Sequence, residues 1–419
     1  MRTPLHSWLT ITAVGFAVLV ATIGYEVAVV ASTINLAATA SSSARISAMM
    51  IVVTMPSIVF SPWIGRFIDR YPLRITISVP VFAAGVTVLV IGNVRNFAVL
   101  LAVIAILGLN AAACSSAVIT ALPEFMRHLK QNVPQGSAAL EAIRSGGFLV
   151  APPIAGLLVG GVGYRFALSA VAVSYVLAGL IFASVVDKFR NGSTAADTSE
   201  PEQTSRRHLL VGFQQVLKDS RVWPPLTAIA VIVLASAVFD VLLVFYARFN
   251  LGFGAEMYGL LLTAWSIGLL IGPLLVRFIP ITTKLTPALL AVASGIVHAT
   301  GFGVAVATAN SYATFALFGV GGIGNALQNA YLRTLVLEST RDSVRGSVVS
   351  AYIATLQTAA IIGMGVGGLV DPHAARPALV LAAMVSIVAA IAVLPSILRS
   401  GRPQPDTLTP QMKGGTHVH

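Results

Sequence analysis

Two carboxylates lie deep inside long hydrophobic runs of this sequence. Glu26 falls in ATIGYEV (21–27) and Asp240 in ASAVFDV (235–241), and the two stretches align at an offset of 214, with Tyr25 over Phe239 and Glu26 over Asp240. An ionisable group at bilayer depth is costly, and is as a rule partnered, water-lined or functional. Such a carboxylate can take up and release a proton as its surroundings alternate between wet and dry, or pair with a cation. Competition between proton and cation for one site would couple their movements; the plainer role is packing, with each acid capped by a hydroxyl or an arginine. Other polar groups in apolar runs are candidates to line a cavity, each with an ordinary packing role as the alternative. Asn110, Asn325, Gln328 and Asn329 can hydrogen-bond a solute or a neighbouring helix. His298 titrates near neutral pH when unperturbed; Glu141 and Arg144, three apart, can pair on one helix. Tyr25, Phe239 and Trp265 would serve as aromatic walls.

Helices must carry these groups. With 419 residues, 56% of them hydrophobic and 10% charged, and a mean hydropathy of +0.87, the chain cannot build an ordinary polar shell and reads as a membrane protein. A span needs about 20 mainly apolar residues. Twelve such runs start near Trp8, Ile46, Ile75, Phe97, Ala138, Phe166, Trp223, Met257, Leu285, Tyr312, Ser347 and Ala375. Strands of alternating polarity are missing, which argues against an outer-membrane barrel, and the first run is longer than a signal-peptide core. The one cysteine, Cys114, can form no internal disulfide.

With a cytoplasmic N-terminus, five of the 26 Lys and Arg residues (Arg45, Arg95, Arg165, Arg248, Arg376) fall outside and the other 21 inside. That is the asymmetry of a multi-pass protein of the plasma (inner) membrane with both termini cytoplasmic. It accounts for the net charge of +11 without nucleic acid, since the basic residues are spread over loops rather than gathered in a patch.

Between the sixth and seventh runs, NGSTAADTSEPEQTSRRH (191–208) has the composition of a disordered linker. After it, Leu209, Leu210, Phe213, Val216 and Leu217 are spaced for a short amphipathic surface helix. The organisation expected is an N-terminal half (1–187), a cytoplasmic linker (188–222), a C-terminal half (223–398) and a disordered tail (399–419). A second repeat joins the halves: QGSAALEAIRSGGFLVAPPIAGLL (135–158) follows RGSVVSAYIATLQTAAIIGMGVGGL (345–369) at an offset of 210. The fold class is therefore an all-α polytopic membrane protein, twelve transmembrane helices in two six-helix pseudo-repeats.

After the second run comes GRFIDRYPLR, with Gly65, Asp69, Arg70 and Arg74. This resembles the cytoplasmic loop signature G-x-x-x-D-R-x-x-x-R of the major facilitator superfamily. The resemblance implies that Gly65 lets helices approach closely and that Asp69 helps hold a cytoplasmic gate shut. The corresponding GPLLVRFIPI keeps Gly272 and Arg277 but has Val276 in place of the acid, implying an asymmetric gate. The fifth run, with Gly146, Gly147, Gly156, Gly160 and Gly161 around Pro152 and Pro153, resembles the bent fifth helix of the family's exporters, although Ala151 stands where glycine usually precedes proline. Small residues allow close crossing and prolines bend the helix. YGLLLTAWSIGLLIGPLL (258–275) is similar to the macrolide and siderophore exporter branch. One departure is Ile104, where the family's drug–proton antiporters commonly carry arginine, so their proton relay does not transfer.

The expected function is proton-coupled efflux of small amphiphilic compounds, drugs or natural products, by alternating access. Its partners would be the substrate, protons and the lipid bilayer, with a monomer as the working unit and no cofactor or metal. Uptake symport or facilitation of a metabolite is the alternative, and would call for a denser set of polar cavity residues. A lipid-modifying membrane enzyme lacks a metal cluster, a phosphate loop or a nucleophile triad in the sequence; a nonenzymatic sensor would leave the paired acids without a purpose.

Overall fold

The computed structural model describes residues 4–39, 42–128, 133–186, 212–279, 281–282, 286–308, 310–340 and 344–400. The linker expected up to residue 211, with Leu209 and Leu210, and the tail expected from 401 lie outside these residues. The elements are α1 (Pro4–Thr39), α2 (Ser43–Val59), α3 (Ser61–Arg70), α4 (Leu73–Ile91), α5 (Phe97–His128), α6 (Val133–Gly161), α7 (Tyr164–Val186), α8 (212–218), α9 (Trp223–Asn250), α10 (Ala255–Leu275), α11 (Pro287–Thr308), α12 (Ser311–Ser339), α13 (Arg345–Gly368) and α14 (Ala375–Ser400). Apolar runs of this length become helices because hydrocarbon offers backbone N–H and C=O groups no partner but each other. Hydroxyls follow the same rule by turning back on the preceding turn, as Thr22 does to the Val18 carbonyl (2.8 Å) and Thr33 to that of Val29 (2.9 Å).

Among the described residues, ten helices are long and apolar enough to cross a membrane, and α2 with α3, bent by 53°, forms an eleventh span. The twelfth is the 29-residue α12, made less apolar by Asn325, Gln328, Asn329 and Arg333. The bend between α2 and α3 has a local cause. Pro62 has no amide to offer the Ile58 carbonyl, which is met instead by the Ser61 hydroxyl at 3.3 Å.

The packing partners repeat. Helix α1 lies against α6 and α7 as α9 lies against α13 and α14; α4 touches α5 and α7 as α11 touches α12 and α14; α2 meets α5 as α10 meets α12. Between the two sets, α6 packs on α10 and α2 on α13, again a matched pair. Short α8 is seated on the second set, with Val216 buried, Phe213 and Leu217 exposed, and a Cβ on Gly212 would lie 3.1 Å from that of Ala351.

The bundle has one end carrying the C-terminus of α7 and the start of α9, and an opposite end carrying the C-terminus of α1, the start of α2 and the 250–255 segment. At the opposite end one apolar cluster runs through both sets, from Val27, Ile46 and Val53 to Phe245, Tyr258 and Phe302. At the linker end the second set has its own cluster, built from Leu226, Ile229, Leu332, Val348 and Ile397. The halves are thus fastened at one end. Small residues make that fastening: a Cβ on Gly156 would sit 2.6 Å from the Ala255 carbonyl, and one on Gly259 2.5 Å from that of Pro152. Ser43 donates to the carbonyls of Gly368 (3.1 Å) and Val370, Ser47 to that of Met364 (2.6 Å), and Arg248 of α9 donates to the Ala37 carbonyl in the last turn of α1, where a cation also suits the helix dipole.

Gly156→Leu is expected to wedge α6 from α10. Overpacking of about 1–3 kcal/mol would shift the balance against this closed end by about 5- to 150-fold. Spin labels placed at the start of α2 and in the 368–375 segment should report longer distances in the variant, and unchanged distances would contradict the assignment of this interface as the closure.

Candidate functional site

Glu26 is half-buried near the middle of α1. It lies one turn beyond Thr22, whose methyl would meet a Cβ on Gly147 of α6 at 2.8 Å, and so shares the α1 face turned toward α6. On another face, Gly24 leaves room for the Tyr175 ring of α7, 3.0 Å from where its Cβ would be. These contacts place the carboxylate in a cavity of about 320 Å³ lined wholly by residues between Val18 and Tyr175. Tyr25, Asn110 and Arg144 line the same cavity, so four of the candidates read from sequence converge. Among the described residues no ion pair joins Glu26 to Arg144. The Asn110 side-chain nitrogen is buried without a hydrogen-bond partner.

Sequence reasoning missed the hydroxyls and the thiol of this wall. Thr22, Thr54, Ser57, Cys114, Ser115 and Tyr175 all line it. Single Ser and Thr residues in apolar helices carry no spacing signal, because each is satisfied by its own helix as readily as by a ligand. Ser57, Ala112 and Ser115 also border a second cavity of about 330 Å³ with Gly65, Ser61 and Thr120, which extends the space toward the linker end beside α3.

Asp240 of α9 is exposed. It is not among the residues lining the Glu26 cavity. On the helical wheel it falls between Ser236, bonded to His298 of α11, and Ala237, against Gly363 of α13; Ala235 and Leu242 on the opposite side are buried, whereas Asp240 is exposed. The reason is local. Thr22 packs against α6, but its counterpart Ser236 is engaged by α11, so the two helices present their acids in different directions.

His298 is buried, 2% exposed. Its Nδ1–H donates to the Gly321 carbonyl (3.0 Å), which can only accept, so Nε2 takes the Ser236 hydroxyl at 2.7 Å. The ring also lies 4.7 Å from Phe302, a structural setting. Phe239 is no cavity wall: it is buried against Phe302 at 5.0 Å. Trp265 lies on α10 outside the cavity with its ring N–H buried and unpartnered, and Gln328 is buried at the α11–α12 contact with its carbonyl oxygen likewise unpartnered. Asn329 donates to Asn325 at 2.8 Å along α12, so these two serve each other. The side chain of Glu141 lies outside the described residues.

The loop signature is at the linker end. Asp69, Arg70 and Arg74 are exposed, and a Cβ on Gly65 would meet nothing within 4 Å. The close approach expected of Gly65 is therefore absent in this conformation, because α3 bends away from α2. Pro152 and Pro153 lie inside α6, and Pro152 leaves the Phe148 carbonyl without its amide; Ser266 of α10 reaches that carbonyl at 3.3 Å. Gly156 completes the crossing.

The sequence matches the family model described as Major Facilitator Superfamily over residues 14–301. No curated protein matches it significantly. Among solved structures, the nucleoside transporter NupG superposes with a TM-score of 0.71 at 12% identity, covering 92% of this chain and 98% of that one. A bacterial homolog of the human lysosomal transporter Spinster, inward-facing and occupied, gives 0.70 at 13% over 97% and 100%. A bacterial homologue of the iron transporter ferroportin, inward-facing, gives 0.64 at 16% over 96% and 100%.

Two substitutions separate site from scaffold. Asn110→Leu removes a donor that nothing satisfies, so the melting temperature in detergent should hold or rise while solute movement falls. His298→Ala removes the two bonds that tie a buried ring to Ser236 and to the Gly321 carbonyl and should cost about 1–3 kcal/mol, read as a lower melting temperature; a thermally neutral His298→Ala would contradict the structural assignment.

Proposed function

The chain belongs to the major facilitator superfamily, whose members are small-molecule transporters, and from that premise we propose that it exports small amphiphilic compounds across the plasma membrane in exchange for protons. The observation that carries this reading is Glu26, a carboxylate held in a cavity whose wall also offers Tyr25, Asn110 and Arg144. A proton and a cationic group of the substrate would compete for Glu26 as the cavity alternates between wet and closed states. Asp240, exposed on α9 outside that cavity, would act as a second, more loosely held acid on the route through the second half.

The direction rests on charge. The 21-to-5 division of basic residues argues for a cytoplasmic linker end, with both termini inside. The conformation, fastened at the opposite end by Arg248, Ser43 and Ser47, would then be inward-facing and ready to load from the cytoplasm. The paired prolines of α6 support export by their resemblance to exporters, whereas a cavity of about 320 Å³ argues for compounds smaller than macrolides or siderophores. The 1–187 and 223–398 halves would rock as units about this site. Uptake or facilitation of a polar metabolite is the second reading, favoured by the cavity's own Arg144 and Asn110.

The test is transport in proteoliposomes under an imposed pH gradient, with a panel of small lipophilic and amphoteric compounds. Glu26→Gln should lower gradient-driven flux by about 5- to 150-fold, the usual span of a coupling free energy, and Asp240→Asn by less. Gradient-driven flux undiminished in Glu26→Gln would sink the coupling role, and flux that ignores the gradient would favour facilitation.

A further inference from the structure

We infer that the Glu26 cavity takes a small zwitterion of amino-acid size, its ammonium on Glu26 and its carboxylate on Arg144 and Asn110. The inference rests on the transporter reading above and narrows its substrate class. Three observations carry it. The cavity holds one carboxylate and one guanidinium on different helices, α1 and α6, with no ion pair between them among the described residues. Beside them the amide nitrogen of Asn110 on α5 is buried with no acceptor. An unmade donor of this kind is costly unless something fills it, and a ligand carboxylate does so once the side chain turns its nitrogen into the cavity it lines, whereas an ammonium cannot. The third observation is size, since about 320 Å³ is at the lower end of the roughly 300–1,000 Å³ found for small-molecule pockets.

Charge balance selects among ligands. With Glu26 ionised, a zwitterion matches both cavity charges, whereas a simple cation answers only Glu26 and a simple anion only Arg144. The remaining wall is apolar, with Val18, Val53, Val118 and Phe148, and suits a short hydrocarbon or aromatic body. Arginine rather than lysine at position 144 favours a planar two-oxygen acceptor.

The test is equilibrium binding to the purified full-length chain of three matched probes: phenylalanine, its methyl ester, which keeps only the cation, and N-acetylphenylalanine, which keeps only the anion. The free amino acid should bind about tenfold or more tightly than either derivative. Glu26→Gln should erase its margin over the N-acetyl form, and Arg144→Gln its margin over the ester, so the two variants fail in opposite directions. An ester or N-acetyl form that binds as tightly as the amino acid to the native chain overturns the inference, as does the absence of binding by all three. Gradient-driven transport of a lipophilic cation, measured on the same preparation, keeps the two claims apart: if it persists while the probes fail, the zwitterion is wrong and the exporter stands.

Discussion

Everything in this molecule is subordinate to one constraint: in hydrocarbon, a backbone polar group has no partner except another group of the protein. Helices follow from it, and so do the places where helices break. Pro62 frees the Ile58 carbonyl and Ser61 takes it; Pro152 frees the Phe148 carbonyl and Ser266 reaches it from another helix. The second case matters more. It joins α6 to α10, elements on either side of the linker, so a defect in one helix becomes a bond between halves.

The same constraint explains how polar side chains are spent. His298, Ser236, Asn325 and Asn329 all find partners within the second set of helices, and once satisfied they have little left to offer a solute. Asn110 in the first set, like Trp265 and Gln328 in the second, keeps a buried polar atom unmet. The repeat thus holds in helix packing and fails in chemistry. One half lines the cavity around Glu26 and Arg144, while the other bonds His298, Ser236, Asn325 and Asn329 within itself.

The fold was largely legible in the sequence because hydropathy and length act additively along a helix. Each of the twelve runs became a span, even α12 with its Asn and Gln residues. Rotation about a helix axis was less legible. Glu26 and Asp240 align in sequence, but the residue one turn earlier, Thr22 or Ser236, meets different neighbours, and pairwise alignment carries no record of that. Phe239 was read as a wall for the same reason and is buried on Phe302. Gly65 shows a different limit: its signature resembles that of a family whose gate opens and closes, and whether a glycine is crowded depends on which conformation is present. The hydroxyls of the cavity wall were invisible because a serine bonded to its own helix and one facing a ligand look alike in one dimension.

The pairing of His298 with Ser236 has a mechanical side. It pins α9 to α11 one turn before Asp240, and Phe239, packed at a tilt against Phe302, holds the same two helices together. The carboxylate is thus mounted on a braced strut rather than on a free rod. Any tilt of α9 would therefore carry α11 with it, and Asp240 with both.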